Sequence, residues 1–131
     1  MIRTTSLVVD SWAWLELFDG STRGKEVQDH LDAAGSVFTT VLTLAEVISV
    51  VERRKHSGER ALQVIQSNSK ILIPTAEDSF LAGKLHAEMK SARRNMSLSD
   101  SFVLQEARKL DAKVITGDPD FKGIKEVEFI G

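Results

Sequence analysis

Short apolar segments alternate with longer segments of helical periodicity along the whole chain. In the longer segments, apolar residues recur at spacings of three and four, which is typical of amphipathic helices. The predicted strands are 6–9, 36–39, 71–73, 113–116 and 127–130. The predicted helices are 12–18, 25–33, 42–54, 59–67, 75–94 and 97–110. This alternation predicts a three-layer α/β/α fold, in which helices cover both faces of a parallel sheet of roughly five strands.

The length and composition are typical of one globular domain. We expect residues 1–131 to form a single domain, because no repeat, low-complexity tract or linker divides them. The chain has no cysteine, which excludes disulfides, thiolate zinc sites and cysteine nucleophiles. No apolar run approaches the ~20 residues of a membrane-spanning helix, and the run 7–9 is too short for a signal-peptide core. We therefore expect a cytoplasmic protein.

The charge balance excludes a protein that simply coats nucleic acid. Seventeen basic and nineteen acidic residues give a formal net charge of -2, whereas coating proteins are strongly basic. Any contact with nucleic acid must therefore be local, through a small basic surface or a metal. The candidate phosphate contacts are Arg53, Arg54, Lys55, Arg93, Arg94 and Lys122. The alternative is that most of these are solvated helix ends, but Lys122 directly follows a predicted turn and is best placed to approach a substrate.

Acidic residues follow two of the predicted strands. Asp10 comes directly after the first strand, and Asp118 after the fourth, with Asp120 two residues further on. Ligands of parallel α/β sheets bind outside the carboxyl ends of the strands. If the first and fourth strands are neighbours, these carboxylates lie side by side. The alternative is that Asp10 is a helix N-cap and Asp118 a turn former.

A third acid, Glu46, lies in a predicted helix that is apolar nearly all round. Thr43 and Ser49 flank it and form a narrow polar stripe. Such a helix is expected to be mostly buried, and an ionised carboxylate there needs a compensating positive charge. The alternative is that Glu46 lies on a solvent-facing strip or pairs with Arg53 or Arg54.

A fourth acid, Asp100, lies near the start of the predicted helix 97–110. Ser97 and Asp100 have the spacing of a capping box, which is one interpretation. Asp100 also shares a helical face with Val103, Leu104 and Ala107, and this apolar face should point inward. We therefore expect Asp100 to be an inward-facing acid.

Four acids from four separate elements predict one acidic cluster. Crowded carboxylates raise each other's pKa and repel, and a hard divalent cation removes that cost. Mg²⁺ and Mn²⁺ prefer such oxygen ligands. Zinc is not expected, because the chain has no cysteine and His30, His56 and His86 fall on helices or loops away from the predicted cleft.

Four short segments, taken together, resemble the PIN-domain family, and within it the VapC-type toxins of toxin–antitoxin pairs. The segments are LVVDS at 7–11, TLAEV at 43–47, LSDSFVL at 98–104 and TGDPDF at 116–121. Each alone is a weak signal, but their order and separations extend the resemblance over nearly the whole chain. One departure is Ser101, where many members have alanine.

The resemblance implies a metal-dependent endoribonuclease that uses Mg²⁺ or Mn²⁺ and leaves a 5′-phosphate and a 3′-hydroxyl. In this interpretation Asp10, Glu46, Asp100 and Asp118 are the catalytic and metal-binding acids. Ser11 and Thr116 match supporting hydroxyl positions, and Asp120 matches an additional acid that some members carry. The resemblance also implies an RNA substrate, an antitoxin partner whose basic residue blocks the acidic cleft, and a homodimer.

Three other interpretations lead to different functions. A PIN-like fold that only binds RNA or protein would have the same elements. A topoisomerase–primase domain would explain Asp118-Pro119-Asp120, but it has glutamate where this chain has Asp10, and it leaves Glu46 and Asp100 unexplained. A receiver domain needs an aspartate after the third strand, where this chain has Pro74. Nucleotide-binding glycine loops are missing from the sequence.

Overall fold

The computed structural model describes residues 5–92 and 95–131. Its five strands are β1 (Ser6–Val9), β2 (Ser36–Thr40), β3 (Lys70–Leu72), β4 (Lys113–Thr116) and β5 (Val127–Phe129). Its six helices are α1 (Ser11–Asp19), α2 (Thr22–Ala33), α3 (Val41–Arg53), α4 (Gly58–Asn68), α5 (Ala76–Ser91) and α6 (Leu98–Leu110). A single 3₁₀ turn, Pro119–Phe121, follows β4. The last two residues of the predicted helix 75–94 lie outside the described residues.

The five strands form one parallel sheet in the order β3-β2-β1-β4-β5. The predicted α/β class and the parallel five-stranded sheet are confirmed. β2 and β3 follow β1 in the chain and lie on one side of it in the sheet, whereas β4 and β5 lie on the other side of β1. The connections therefore reverse direction between β1 and β4, which is where parallel α/β sheets open a ligand crevice. Val9 pairs with Ile115, so the carboxyl ends of these two strands lie together.

Side chains of alternate residues in the strands build a core on each face of the sheet. Leu7 and Val9 point to the face covered by α1 to α4, and Val8 points to the face covered by α5 and α6. The first face contains Trp14, which is fully buried and donates its indole N–H to Thr39 Oγ1 at 3.1 Å.

Local capping sets the helix bounds. Gly20 adopts φ 66°, a left-handed conformation that glycine tolerates, and ends α1. The Ser21 hydroxyl then accepts a hydrogen bond from Gly24 N at 2.9 Å, so α2 begins at Thr22, three residues before its predicted start. Within the described part of the chain, no helix has both the length and the hydropathy needed to cross a membrane.

Candidate metal centre

Asp10 lies at the end of β1 and is fully buried. One of its carboxylate oxygens accepts a hydrogen bond from Ala13 N at 2.9 Å, which caps α1, and the other accepts one from the Thr116 hydroxyl. Asp10 is therefore both the N-cap of α1 and a neighbour of the other acids. Burial raises the pKa of Asp10 to about 7; the two hydrogen bonds oppose this rise, and the negative charges of Asp100 and Asp118 add to it.

Asp118 follows β4, the neighbour of β1. The Thr116 hydroxyl that donates to Asp10 also accepts a hydrogen bond from Asp118 N at 3.0 Å. The Asp118 carboxylate in turn accepts one from Asp120 N at 2.9 Å and starts the 3₁₀ turn. Thr116 therefore joins the two strand ends, and Asp118 is both a turn former and a neighbour of Asp10.

Asp100 is the third residue of α6 and is half-buried. It forms the predicted capping box: its Oδ2 accepts from Ser97 N at 3.2 Å, and its own N–H donates to Ser97 Oγ at 3.1 Å. Desolvation is the largest cause of a raised pKa at Asp100, and the negative charges of Asp118 and Glu46 act in the same direction. A carboxylate in the first turn of a helix can therefore cap that helix and still face the other acids.

Three carboxylates come within the span of one cation. Oxygens of Asp100, Asp118 and Asp120 all lie within 4.8 Å of one another. Two oxygens on opposite sides of a divalent cation are roughly 4–5 Å apart, twice the metal–oxygen distance. Burial first, and then the charge of Asp118, raise the pKa of Asp120, while Lys90 opposes this rise. The structure thus places Asp120 more centrally than its supporting role in the sequence analysis suggested.

Glu46 lies on α3 and is exposed, so the expectation of a buried environment is wrong. The buried residues of α3 are Thr43, Val47 and Val51, which lie on one side of the helix, whereas Glu46 lies on another side. Its Oε1 accepts a hydrogen bond from Ser99 Oγ at 2.8 Å, and its charge acts on Asp100. Glu46 therefore lies at the solvent rim of the acidic cluster, held by a serine that the sequence patterns did not reveal.

Two of the basic residues that were predicted to contact phosphate form other contacts in the structure. Arg53 donates to Ser49 at 3.4 Å, and Arg54 lies 3.5 Å from Asp19, so neither pairs with Glu46. Lys122 follows the 3₁₀ turn, with its Nζ 5.9 Å from the ring centroid of Phe129.

The remaining predicted residues lie as follows. Lys55 is exposed after α3, and Ser11 is half-buried at the first position of α1. Arg93 and Arg94 lie outside the described residues, and the three histidines lie on α2, in the segment after α3 and on α5.

A contact between Trp12 and Gly117 supports the Asp118 turn and was not anticipated from the sequence. Gly117 is buried between Thr116 and Asp118. A Cβ atom at this position would lie 2.3 Å from the Trp12 indole and 2.6 Å from the Ile130 carbonyl oxygen. The indole therefore packs directly on the backbone that carries Asp118. As expected for two tryptophans two residues apart on a helix, Trp14 points to the core while Trp12 is only half-buried.

The chemistry of this cluster is that of a hard-cation site. All of its donors are carboxylate oxygens, and they come from β1, α3, α6 and the turn after β4. Burial is the largest cause of the raised pKa values of Asp10, Asp100 and Asp120, and repulsion by neighbouring negative charges adds to it. This donor set fits Mg²⁺ or Mn²⁺.

Comparison with known proteins agrees with this architecture. A family model described as the PIN domain matches residues 7–127. No curated protein matches the sequence. Among solved structures, the Mycobacterium tuberculosis toxin VapC20, described as cleaving the sarcin–ricin loop, superimposes with a TM-score of 0.79 at 20% identity. That match covers 95% of this chain and 99% of the toxin.

Two further structures share the fold. A toxin–antitoxin complex from Klebsiella pneumoniae matches with a TM-score of 0.73 at 22% identity, over 92% of this chain and 94% of the other. The Rickettsia felis VapBC2 complex, bound to a fragment of promoter DNA, matches with a TM-score of 0.73 at 17% identity. That match covers 94% of this chain and 96% of the other. At these identities the likeness shows a common fold.

Proposed function

Because the chain belongs to the PIN-domain family, we propose that it is a metal-dependent endoribonuclease that hydrolyses RNA phosphodiester bonds. The observation that supports this proposal most is that oxygens of Asp100, Asp118 and Asp120 lie within 4.8 Å of one another, with the charges of Asp10 and Glu46 acting on the same group. A purely structural role does not require five acids at one edge of the sheet. Glu46 and Asp100 also join the cluster electrostatically, which a topoisomerase–primase site would leave unexplained.

Asp100, Asp118 and Asp120 are the side chains that would hold Mg²⁺ or Mn²⁺, with Asp10 and Glu46 at the edges of the group. A bound divalent cation supplies a Lewis acid that neutralises phosphate charge and makes water easier to deprotonate. Thr116 keeps the Asp10 carboxylate and the Asp118 backbone in register. Glu46 is the solvent-facing acid, so it is best placed to hydrogen bond to a water molecule and orient it for in-line attack on the phosphate.

Lys122 is proposed to contact the RNA phosphate, because it begins the segment directly after the 3₁₀ turn that carries Asp120. In the structure the Lys122 Nζ lies 5.9 Å from the centroid of the Phe129 ring, a contact that the side chain would give up on binding RNA. The negative cluster does not itself attract RNA. Binding therefore depends on the metal together with this local cation, which agrees with the net charge of -2.

We further propose that the protein is the toxin of a toxin–antitoxin pair in the cytoplasm, since several of its structural neighbours are such toxins or their complexes. An antitoxin side chain with a positive charge would be attracted to the repelling carboxylates and would block the site. We also propose a homodimer. Phe80 and Leu81 on α5 expose 64% and 38% of their surface, and they offer an apolar surface to the second copy.

The test is cleavage of total RNA by purified protein with Mg²⁺ or Mn²⁺, compared with Asp118→Asn and with a matched control, Asp29→Asn. Asp29 is an exposed acid on α2, outside the acidic cluster. We expect discrete fragments with 5′-phosphate and 3′-hydroxyl ends from the wild type and the control, and a loss of at least about 100-fold in Asp118→Asn. Equal cleavage by all three would identify a contaminating nuclease and contradict the proposal.

Metal binding is tested separately by thermal unfolding with and without millimolar Mn²⁺. A ligand that binds only the folded state raises the melting temperature, and Asp118→Asn should remove most of that rise. A wild-type protein whose melting temperature does not respond to Mn²⁺ would instead support a non-catalytic binding module.

A further inference from the structure

A hydrogen bond between α3 and α6 holds the most exposed acid of the cluster. Ser99 Oγ donates to Glu46 Oε1 at 2.8 Å, and the two residues are 53 positions apart in the sequence. Ser99 directly precedes Asp100 on α6. Among the hydrogen bonds of the described residues, this one ties the Glu46 carboxylate to another element. It therefore couples the position of Glu46 to the helix that carries Asp100.

The other acids of the cluster are anchored differently. Backbone N–H groups hold three of them: Ala13 N holds Asp10, Ser97 N holds Asp100, and Asp120 N holds Asp118. These donors move only if the backbone moves. Glu46 is instead a long, solvent-exposed side chain whose anchor is a single hydroxyl, so its position depends on that hydroxyl.

Glu46 lies near a second negative charge of the cluster. Its negative charge acts on Asp100, and both groups are acidic. An exposed glutamate has several side-chain rotamers that would increase its distance from another negative charge. The hydroxyl of Ser99 offsets this repulsion by donating to the ionised carboxylate, and hydrogen bonds to charged groups are stronger than those between neutral groups.

The Ser99 hydroxyl is not needed to begin the helix. Ser97 is the N-cap of α6, and its reciprocal hydrogen bonds with Asp100 complete the capping box. The side chain of Ser99 therefore has a role that the local helix does not require.

We propose that Ser99 is a positioning residue, whose hydroxyl fixes the Glu46 carboxylate at the rim of the acidic cluster and thereby strengthens divalent-cation binding and hydrolysis. The proposal rests on the proposed function and identifies a further determinant of it. Ser99 acts through Glu46, so its contribution disappears when the Glu46 carboxylate is removed.

The test is a double-mutant cycle with Ser99→Ala, Glu46→Ala and the double variant, together with Ser99→Thr as a conservative substitution. Mn²⁺ affinity is measured by calorimetric titration without RNA, at a temperature at which circular dichroism shows every variant folded. We expect Ser99→Ala to weaken Mn²⁺ binding about tenfold, because the negative charge of Glu46 is then no longer held beside the cation site; this is the low end for residues that support a metal site without binding the metal. Ser99→Thr should restore the affinity to within about twofold, because it retains the hydroxyl.

In the Glu46→Ala background, Ser99→Ala should change Mn²⁺ affinity by less than about twofold. The matched control is Ser67→Ala: Ser67 is an exposed serine of α4 that lies with the first residues of β2 and β3, at the opposite edge of the sheet. RNA cleavage at saturating Mn²⁺ should show a lower kcat for Ser99→Ala with little change in KM, since the substituted hydroxyl orients Glu46 and does not bind RNA.

Different results overturn different parts of the reasoning. If the wild type binds Mn²⁺ and cleaves RNA but Ser99→Ala does the same equally well, the positioning role is overturned and the nuclease proposal stands. An undiminished effect of Ser99→Ala in the Glu46→Ala background also overturns the positioning role. A wild type that neither binds Mn²⁺ nor cleaves RNA overturns both.

A metal-free measurement tests the contact itself. A crystal structure of the metal-free wild type should show the Ser99–Glu46 hydrogen bond, and one of Ser99→Ala should show the Glu46 carboxylate displaced from α6. Absence of the hydrogen bond from the wild type would overturn the positioning role, whatever the nuclease assay shows.

Discussion

Replacing Asp10 by asparagine should stabilise the metal-free protein at neutral and alkaline pH. Asp10 is fully buried, and burial raises its pKa from 3.8 to about 7. The folded protein therefore keeps this proton between about pH 4 and pH 7, where the unfolded chain has lost it. Because the folded state holds this proton in that range, the contribution of Asp10 to the free energy of unfolding is greatest below pH 4 and falls as the pH rises to about 7.

The size of this effect follows from the pKa rise. At about 1.36 kcal/mol per pH unit, the rise from 3.8 to about 7 corresponds to about 4 kcal/mol of unfolding free energy. Asparagine has no proton to lose over this range. Its amide oxygen can still accept from Ala13 N, while the Thr116 hydroxyl has to rotate to accept from the amide N–H, at a cost that does not change with pH.

The assay is urea denaturation in EDTA at several pH values from 4 to 8, followed by circular dichroism. The stability of Asp10→Asn relative to the wild type should increase by about 4 kcal/mol across this range, and Asp29→Asn should show no comparable trend. A difference between Asp10→Asn and the wild type that stays constant with pH, or decreases toward pH 8, would refute the assignment of a raised pKa to the buried carboxyl group.

Two further substitutions test the packing and the capping on which the fold depends. Gly117→Ala should lower the free energy of unfolding, measured by urea denaturation, by about 1–3 kcal/mol, because the new Cβ would overlap the Trp12 indole. The control is Gly83→Ala, in open space within α5, which should raise the free energy of unfolding by about 0.5–1 kcal/mol. Equal effects of the two substitutions would contradict the contact between Trp12 and Gly117. Asp78→Ala should lower the free energy of unfolding by about 1–2 kcal/mol near pH 7, because it removes both the capping box with Thr75 and the ion pair with Lys109. The hydrogen bond from Thr75 N is the largest cause of the lowered Asp78 pKa, which is about 2. The loss of stability in Asp78→Ala should therefore be present above pH 4 and disappear as the pH falls toward 2. A loss of stability that did not change in acid would contradict the lowered pKa of Asp78.

Periodicity was enough to predict the layers of the fold. The short apolar runs 7–9 and 114–115 correctly predicted buried strands, because a strand covered on both faces needs no polar alternation. The face of α6 that contains Val103, Leu104 and Ala107 is buried as its spacing predicted. Helix bounds were less accurate, as at α2, because a single capping hydroxyl at Ser21 decided where the helix began.

Single aspartates of the acidic cluster have two roles each, which the sequence analysis had set out as alternatives. Asp10 caps a helix and lies in the cluster, and Asp100 does the same through its capping box. A carboxylate has two oxygens, so one can satisfy the helix end while the group still faces its neighbours. Local spacing alone does not distinguish these cases.

The sequence by itself determined the order of strands and helices and placed Asp10 and Asp118 directly after two of the strands. That β1 and β4 are neighbours, so that these two acids lie side by side, was decided by the tertiary structure. Only the tertiary structure decided that Glu46 is exposed, that Ser99 holds it, and that the Trp12 indole packs on Gly117. The physical reason is that backbone periodicity depends on near neighbours in the chain. Which face of a helix is covered, and which distant side chain reaches it, depends on how separate elements pack.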